Sequence, residues 1–363
     1  MLPCRHRRDN EESRRPRRTN RRCPPTAGSY VPNRGKAVTD GGQTTAGTVT
    51  GMPRGAGDDL HVLKLFTHYG VFAEKQVQEL ERNGVSCTVL EAPAAGSGRR
   101  SVLDYASLYR STLATSAVRD VDLIHANYGL TAPMALAQPT RPVVVSLWGS
   151  DVFGTFGPVS KLCARVADEV IVMSNEMAAV VGTDAHVIPH GVDFDRFAPD
   201  STLAARETVG WDPDSAHVIF PWTPARPEKD FPRAARVVET ARRQTSRPIE
   251  LHVVSDAPHE QMPTYMNAAD ALLMTSRWEG SPNSVREALA CNVPVVATDV
   301  GDVANHVTDL PHSTVCDDDD MLADALVAAL KAPEHAGRRE QVRDLSLERM
   351  GDDILDAYAR ALE

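Results

Sequence analysis

From Leu60 onward the chain alternates between two hydrophobic rhythms. Short apolar runs suited to buried parallel strands occupy 60–66 (LHVLKLF), 86–93 (SCTVLEAP), 122–126, 142–147, 168–173 and 185–189. Between them lie stretches with helical spacing: 71–82, ended by Asn83-Gly84, a segment reaching about 118 after a Gly/Ser/Arg loop at 96–101, and 175–181. The alternation resumes with strands at 217–221, 250–255, 271–274 and 294–298. Helices are predicted at about 231–243, after Ser281, at 321–330 and at about 352–361. Repeated β/α alternation predicts two doubly wound parallel sheets, an α/β protein of two Rossmann-like domains. The boundaries fall at 58–192 and 193–345, with the linker near 193–212 and a last segment at 346–363.

Composition separates the first 57 residues from this pattern. They hold twelve Arg/Lys against four Asp/Glu and almost no core-forming side chains, so 1–57 reads as a disordered basic extension. Two roles stand open for it: an electrostatic tether, or an inert extension ahead of Met52, which the lack of an aromatic or amphipathic pattern favours. The remainder holds 27 basic and 45 acidic residues, and the whole chain has six lysines. A body this acidic suits a high-salt cytoplasm, where screening weakens self-repulsion. No apolar run approaches the length of a membrane span, and no signal-peptide core is visible. Six cysteines lie far apart, with no zinc-type spacing, as in a reducing cytoplasm.

Residues 268–302, AADALLMTSRWEGSPNSVREALACNVPVVATDVGD, concentrate the chemistry. A strand at 271–274 leads into a loop, Ser281 caps a helix with Pro282 in its first turn, and 294–298 forms the next strand, with Gly301 at its carboxyl end. The helix start leaves free amides near Asn283 and Ser284, and its dipole favours an anion. Glu287, one turn in, suits the two hydroxyls of a ribose. Glu279, on the loop, faces whatever lies past the phosphate. Phosphate, diol and a second polyol in a row suggest a sugar nucleotide.

The run EGSPNSVREALAC followed by PVVATDVGD resembles the signature of retaining GT-B-fold glycosyltransferases, the family 4 group. The resemblance implies that Glu279 contacts donor-sugar hydroxyls, Glu287 the ribose, and the turn Ser281-Pro282-Asn283-Ser284 the diphosphate. It assigns Lys229, and with it Arg226, to neutralising the departing diphosphate; the family arginine usually stands five positions before the lysine, where this chain has Pro224. It also implies that 346–363 packs back toward the first domain. His190-Gly191-Val192-Asp193 resembles the family's I-P-N-G-V-D, with His190 in place of asparagine; His190 meets the donor phosphate or serves as a turn residue, with the turn preferred, and Gly191 permits a sharp turn. Asp151 and His125 each carry two readings: contacts to donor or acceptor hydroxyls, or a cap and a core histidine.

The function implied is transfer of a sugar from a nucleotide-sugar co-substrate to a glycan, lipid-linked or other hydroxyl acceptor, with retention and without a metal or other cofactor. Asp317–Asp320 reads as a helix start rather than a metal loop. Partners are then the nucleotide sugar and its acceptor, with no specific nucleic acid, in the cytoplasm or peripherally at the inner membrane face. Two alternatives stay open: a GT-B epimerase or hydrolase, and a non-catalytic nucleotide-sugar-binding partner of another transferase. The short Asp256-Ala257-Pro258-His259 loop replaces a glycine-bearing one and leaves the base unassigned.

Overall fold

A computed structural model describes residues 60–93, 100–332 and 337–363. The basic segment 1–57, its Cys4 and Cys23, and loop residues 96–99 lie outside the described residues. The first sheet contains β1 (His61–Phe66), β2 (Ser86–Glu91), β3 (Leu123–Asn127), β4 (Val143–Leu147), β5 (Glu169–Val172) and β6 (His186–Val187) in the order β2-β1-β3-β4-β5-β6. The second contains β7 (Ala216–Phe220), β8 (Ile249–Val253), β9 (Ala271–Met274), β10 (Val295–Ala297) and β11 (Thr314–Val315), ordered β11-β10-β9-β7-β8. Every pairing between these strands is parallel. The central strands β3, β4, β7 and β9 are buried along their whole length, which is why their sequences are almost continuously apolar. The two-residue β11 is the strand that periodicity does not predict.

Each sheet has its own apolar core. The second is built from β7, β9, β10 and the helices Phe231–Arg242, Asn283–Ala290 and Asp319–Ala329. The first includes Leu347, Met350, Ile354, Ala357 and Tyr358 of the last helix, Leu347–Leu362. That helix follows the second sheet in sequence but lies in the core of the first. Gly191 allows the crossing: a Cβ there would sit 2.6 Å from the Leu347 Cα and 2.7 Å from the Ser346 carbonyl. Val192 bonds both sides of the junction, donating to the Leu345 carbonyl at 2.8 Å and accepting from the Leu347 amide at 3.1 Å. Close approach, rather than a left-handed turn, therefore requires the glycine. No helix among the described residues is long and apolar enough to cross a membrane.

Candidate active site

In each sheet the strand order reverses beside its first strand, between β1 and β3 and between β7 and β9. Ligands of open α/β sheets bind beyond the carboxyl ends at such a point. The loops after β7 and β9 are laced together there: the Thr275 hydroxyl donates to the carbonyls of Lys229 (3.1 Å) and Asp230 (3.0 Å), and the Arg277 amide donates to the Glu228 carbonyl at 2.8 Å. Lys229 closes a single 3-10 turn, Pro227–Lys229, and Asp230, in the left-handed region at φ 48°, starts the next helix. The Lys229 side chain is buried, with its ammonium 4.6 Å from the centre of the Trp222 ring and paired with Glu279 Oε1. The same carboxylate oxygen accepts from the Ser276 hydroxyl at 2.6 Å. Burial lowers the lysine pKa, and the Glu279 charge pulls it back. Arg226 is exposed and holds Glu228 at 2.6 Å, yet its charge is felt at Lys229.

The turn that follows differs in one respect from expectation. Ser281 does not cap the helix, because its hydroxyl bonds the Asp302 carboxylate; Pro282 occupies the N-cap position and the helix runs Asn283–Ala290. The amides of Asn283 and Ser284 still head it without a carbonyl in the preceding turn to bond. Arg286, wholly buried, holds the turn rigid: it donates to the Ser281 carbonyl (3.2 Å), to Asn283 Oδ1 (2.5 Å) and, across the domains, to the His190 carbonyl (2.8 Å). Burial lowers its pKa, and Asp302 and Glu287 oppose that. Glu287 is buried with one carboxylate oxygen 2.9 Å from His259 Nε2.

The loop after β4 meets this turn backbone to backbone. Gly149, at φ 116°, and Gly280 lie side by side: a Cβ on Gly280 would sit 3.5 Å from the Gly149 Cα and 3.4 Å from the Trp148 carbonyl oxygen, at ordinary van der Waals contact. Gly301, at φ 59°, lies beneath the same loop; a Cβ there would be 2.6 Å from the Gly280 carbonyl oxygen. His190 packs edge-on against Trp148 at 4.7 Å and stacks on Phe72 at 5.6 Å. The surrounding protein and then the Arg286 charge push its pKa down to about 3, so the imidazole is neutral. Asp151 is buried and accepts backbone amides from Gly129 (2.8 Å), Trp148 (2.9 Å) and Gly149 (2.8 Å), tying together the loops after β3 and β4; burial raises its pKa against these bonds. His125 is wholly inside the first core, its Nδ1 2.6 Å from the Tyr358 hydroxyl and its Nε2 2.7 Å from that of Ser146. Neither side chain is placed to offer a free polar atom to the cleft.

Two cavities open here. One, of about 690 Å3, is lined by Phe153 and Glu176 of the first domain and by Trp278, Glu279, Asp299 and Gly301 of the second. The other, of about 870 Å3, lies at the carboxyl ends of β1 and β3 and is walled mainly by Phe66, Phe72, Tyr105, Tyr128, Trp148 and Phe156. Asp317–Asp320 forms a helix start, with Asp318 accepting from the amides of Asp320 and Met321. Sequence reasoning missed His259, Trp222, Ser276 and the span of Arg286. Only Arg286 had a visible signal, a charge among the helix's apolar positions.

The profile of the family described as Glycosyl transferases group 1 matches residues 231–332. TuaC of Bacillus subtilis (strain 168), assigned as a teichuronic acid biosynthesis glycosyltransferase, is 27% identical over 304 residues, 65% of this chain and 78% of TuaC. The GDP-mannose-dependent alpha-(1-6)-phosphatidylinositol monomannoside mannosyltransferase of Mycolicibacterium smegmatis (strain ATCC 700084 / mc(2)155) is 30% identical over 250 residues, 56% of this chain and 65% of the relative. Among solved structures, sucrose-phosphate synthase from Thermosynechococcus elongatus superposes with a TM-score of 0.64 at 16% identity, covering 83% of this chain and 98% of the synthase.

Proposed function

We propose that this chain is a glycosyltransferase of the group 1, or family 4, type, whose members are retaining enzymes, and that it moves a sugar from a nucleoside diphosphate donor to a hydroxyl of an amphiphilic glycan- or lipid-linked acceptor; the matched segment 231–332, the similarity to TuaC and the GT-B fold support this reading. The observation that carries this reading is the pair of buried Lys229 and part-buried Glu279 at the switch point, Glu279 lying on the loop that leads four residues later into the helix start at Asn283. The arriving diphosphate takes Lys229 as its counter-ion and accepts from the helix-start amides. Glu279, still held by Ser276, is then free to accept from donor-sugar hydroxyls. Glu287 turns its remaining oxygen to the ribose while His259 fixes the other.

As the glycosidic bond breaks, charge grows on the diphosphate oxygen, and a preset ammonium and two amides stabilise it without reorganising. Arg226, free on one side, adds to the same field. The departing phosphate takes the acceptor proton on the face it leaves, and configuration is kept. Trp148 and Phe156 give the acceptor cavity its apolar wall, and the segment carrying them also carries Phe153 to the donor-side cavity. This arrangement supports an acceptor with an apolar body and a sugar-like head.

The test is nucleotide release from UDP-, GDP- and ADP-sugars, with and without alkyl glycosides of increasing chain length. One donor should react, only with acceptor present, and faster as the chain lengthens. Release independent of acceptor would make the protein a hydrolase. A rate indifferent to chain length would remove the amphiphilic acceptor.

A further inference from the structure

We propose that His217, Glu250 and His252 form a site for one divalent transition-metal ion of the zinc class, clamping the edge strand β8 to β7 away from the transfer chemistry. In the parallel register His217 lies opposite Glu250 and Ile219 opposite His252, so residues 217, 250 and 252 project from one face of the sheet. His217 Nδ1 and His252 Nε2 are 2.9 Å apart, His252 Nε2 and Glu250 Oε2 3.5 Å, and the three ligand atoms all lie within 4.8 Å of one another. Tetrahedral zinc with Zn–N bonds of about 2.0–2.1 Å spaces its ligand atoms by about 3.3 Å, between those two separations. Among the described residues this is the grouping of His, Cys, Asp and Glu side chains close enough to share an ion.

A second observation fixes the chemistry of the donors. His217 Nε2 lies 2.6 Å from the Asp212 carbonyl oxygen. A carbonyl can only accept, so Nε2 carries the hydrogen and Nδ1 presents its lone pair toward His252. A backbone carbonyl on the far nitrogen is the usual support of a metal-bound imidazole. His217 is wholly buried, and Trp211 lies flat on the His252 ring, 3.7 Å between centres with 12° between planes, which sets that ring's direction. Without metal, His252 Nε2 donates its hydrogen to His217 Nδ1. The ion replaces that hydrogen, which His252 then carries on Nδ1. Glu250, half-buried, supplies the anionic ligand, and a solvent molecule completes four-coordination. Among the described residues strand β8 pairs with β7 alone, so a metal bond between the two fastens an edge that backbone bonds hold on one side.

The test uses untagged full-length protein, stripped with a chelator and titrated with Zn2+ alone and with Co2+ alone. One zinc per chain should bind, the Co2+ form should show the visible absorption of a tetrahedral ion, and the thermal midpoint should rise. His252→Gln and Glu250→Gln, both at half-buried positions, should keep the fold and weaken binding at least about tenfold. A stripped protein that takes up no zinc at micromolar concentration would overturn the site. Equal affinity in parent and both variants would also overturn it, by placing the zinc on other side chains.

Discussion

Lys229 is an ammonium kept out of water by Trp222 and held charged by one carboxylate. Such a group is costly to bury alone and gains most when a second anion arrives. Lys229→Ala should therefore cost transfer about 2–4 kcal/mol in transition-state stabilisation, a fall in kcat/KM of roughly one and a half to three decades, the size of an oxyanion-hole deletion. A parental rate in steady-state assays would remove the lysine from the mechanism. Glu287→Gln keeps the His259 contact but loses the charge, and should raise donor KM more than it lowers kcat. At this scale the chain is only partly legible. The placement of Glu279 and Lys229 on loops beyond strand ends, and of Glu287 one turn into a helix, was readable because strand ends and helix starts are local features; the roles given to them belong to the proposal. His259 was not, since its approach to Glu287 depends on how the loop after β8 folds over the helix Asn283–Ala290. Ser281 was misread as a cap because Asp302, 21 residues later, takes its hydroxyl.

The signature loop, seen as an element, rests on glycines from three loops. Gly301→Ala puts a Cβ against the Gly280 carbonyl and demands a left-handed backbone from alanine. It should cost about 1–2 kcal/mol for the backbone alone, with donor KM raised because the Glu279 loop must shift; chemical denaturation and donor kinetics read the two effects separately. Arg286→Met strips bonds from two carbonyls and an amide oxygen in a part-buried setting. Each orphaned group costs about 1–3 kcal/mol, so the urea midpoint should fall clearly, and an unchanged midpoint would mean that water replaces the guanidinium. The order and type of elements were legible because buried strands spell continuous apolar runs. The reach of Arg286 to the His190 carbonyl was not, since it joins residues 96 positions apart.

For the whole molecule, charge dominates two expectations. The region after residue 57 carries 45 acidic against 27 basic residues, so stability should rise from low to molar salt in thermal melts; a flat or falling curve would reject self-repulsion as the dominant load. Lys64, wholly buried beside Gln76, His125 and Tyr358, is pushed down by desolvation to about 7. Its folded pKa lies below its unfolded value, so between about pH 7 and 10.5 the unfolded chain binds the extra proton and stability rises with pH. The slope approaches about 1.4 kcal/mol per pH unit for one proton. Lys64→Met should flatten it, and an unchanged slope would assign the proton elsewhere. Tyr358, a partner of that lysine, belongs to the helix Leu347–Leu362. During synthesis the first sheet is therefore complete long before its core is: β1 to β6 emerge with an open groove that the last helix fills only after the entire second domain has been made. The half of the protein made first is the half finished last, and a ribosome that stops early releases a chain with an unclosed apolar seam, marked for quality control.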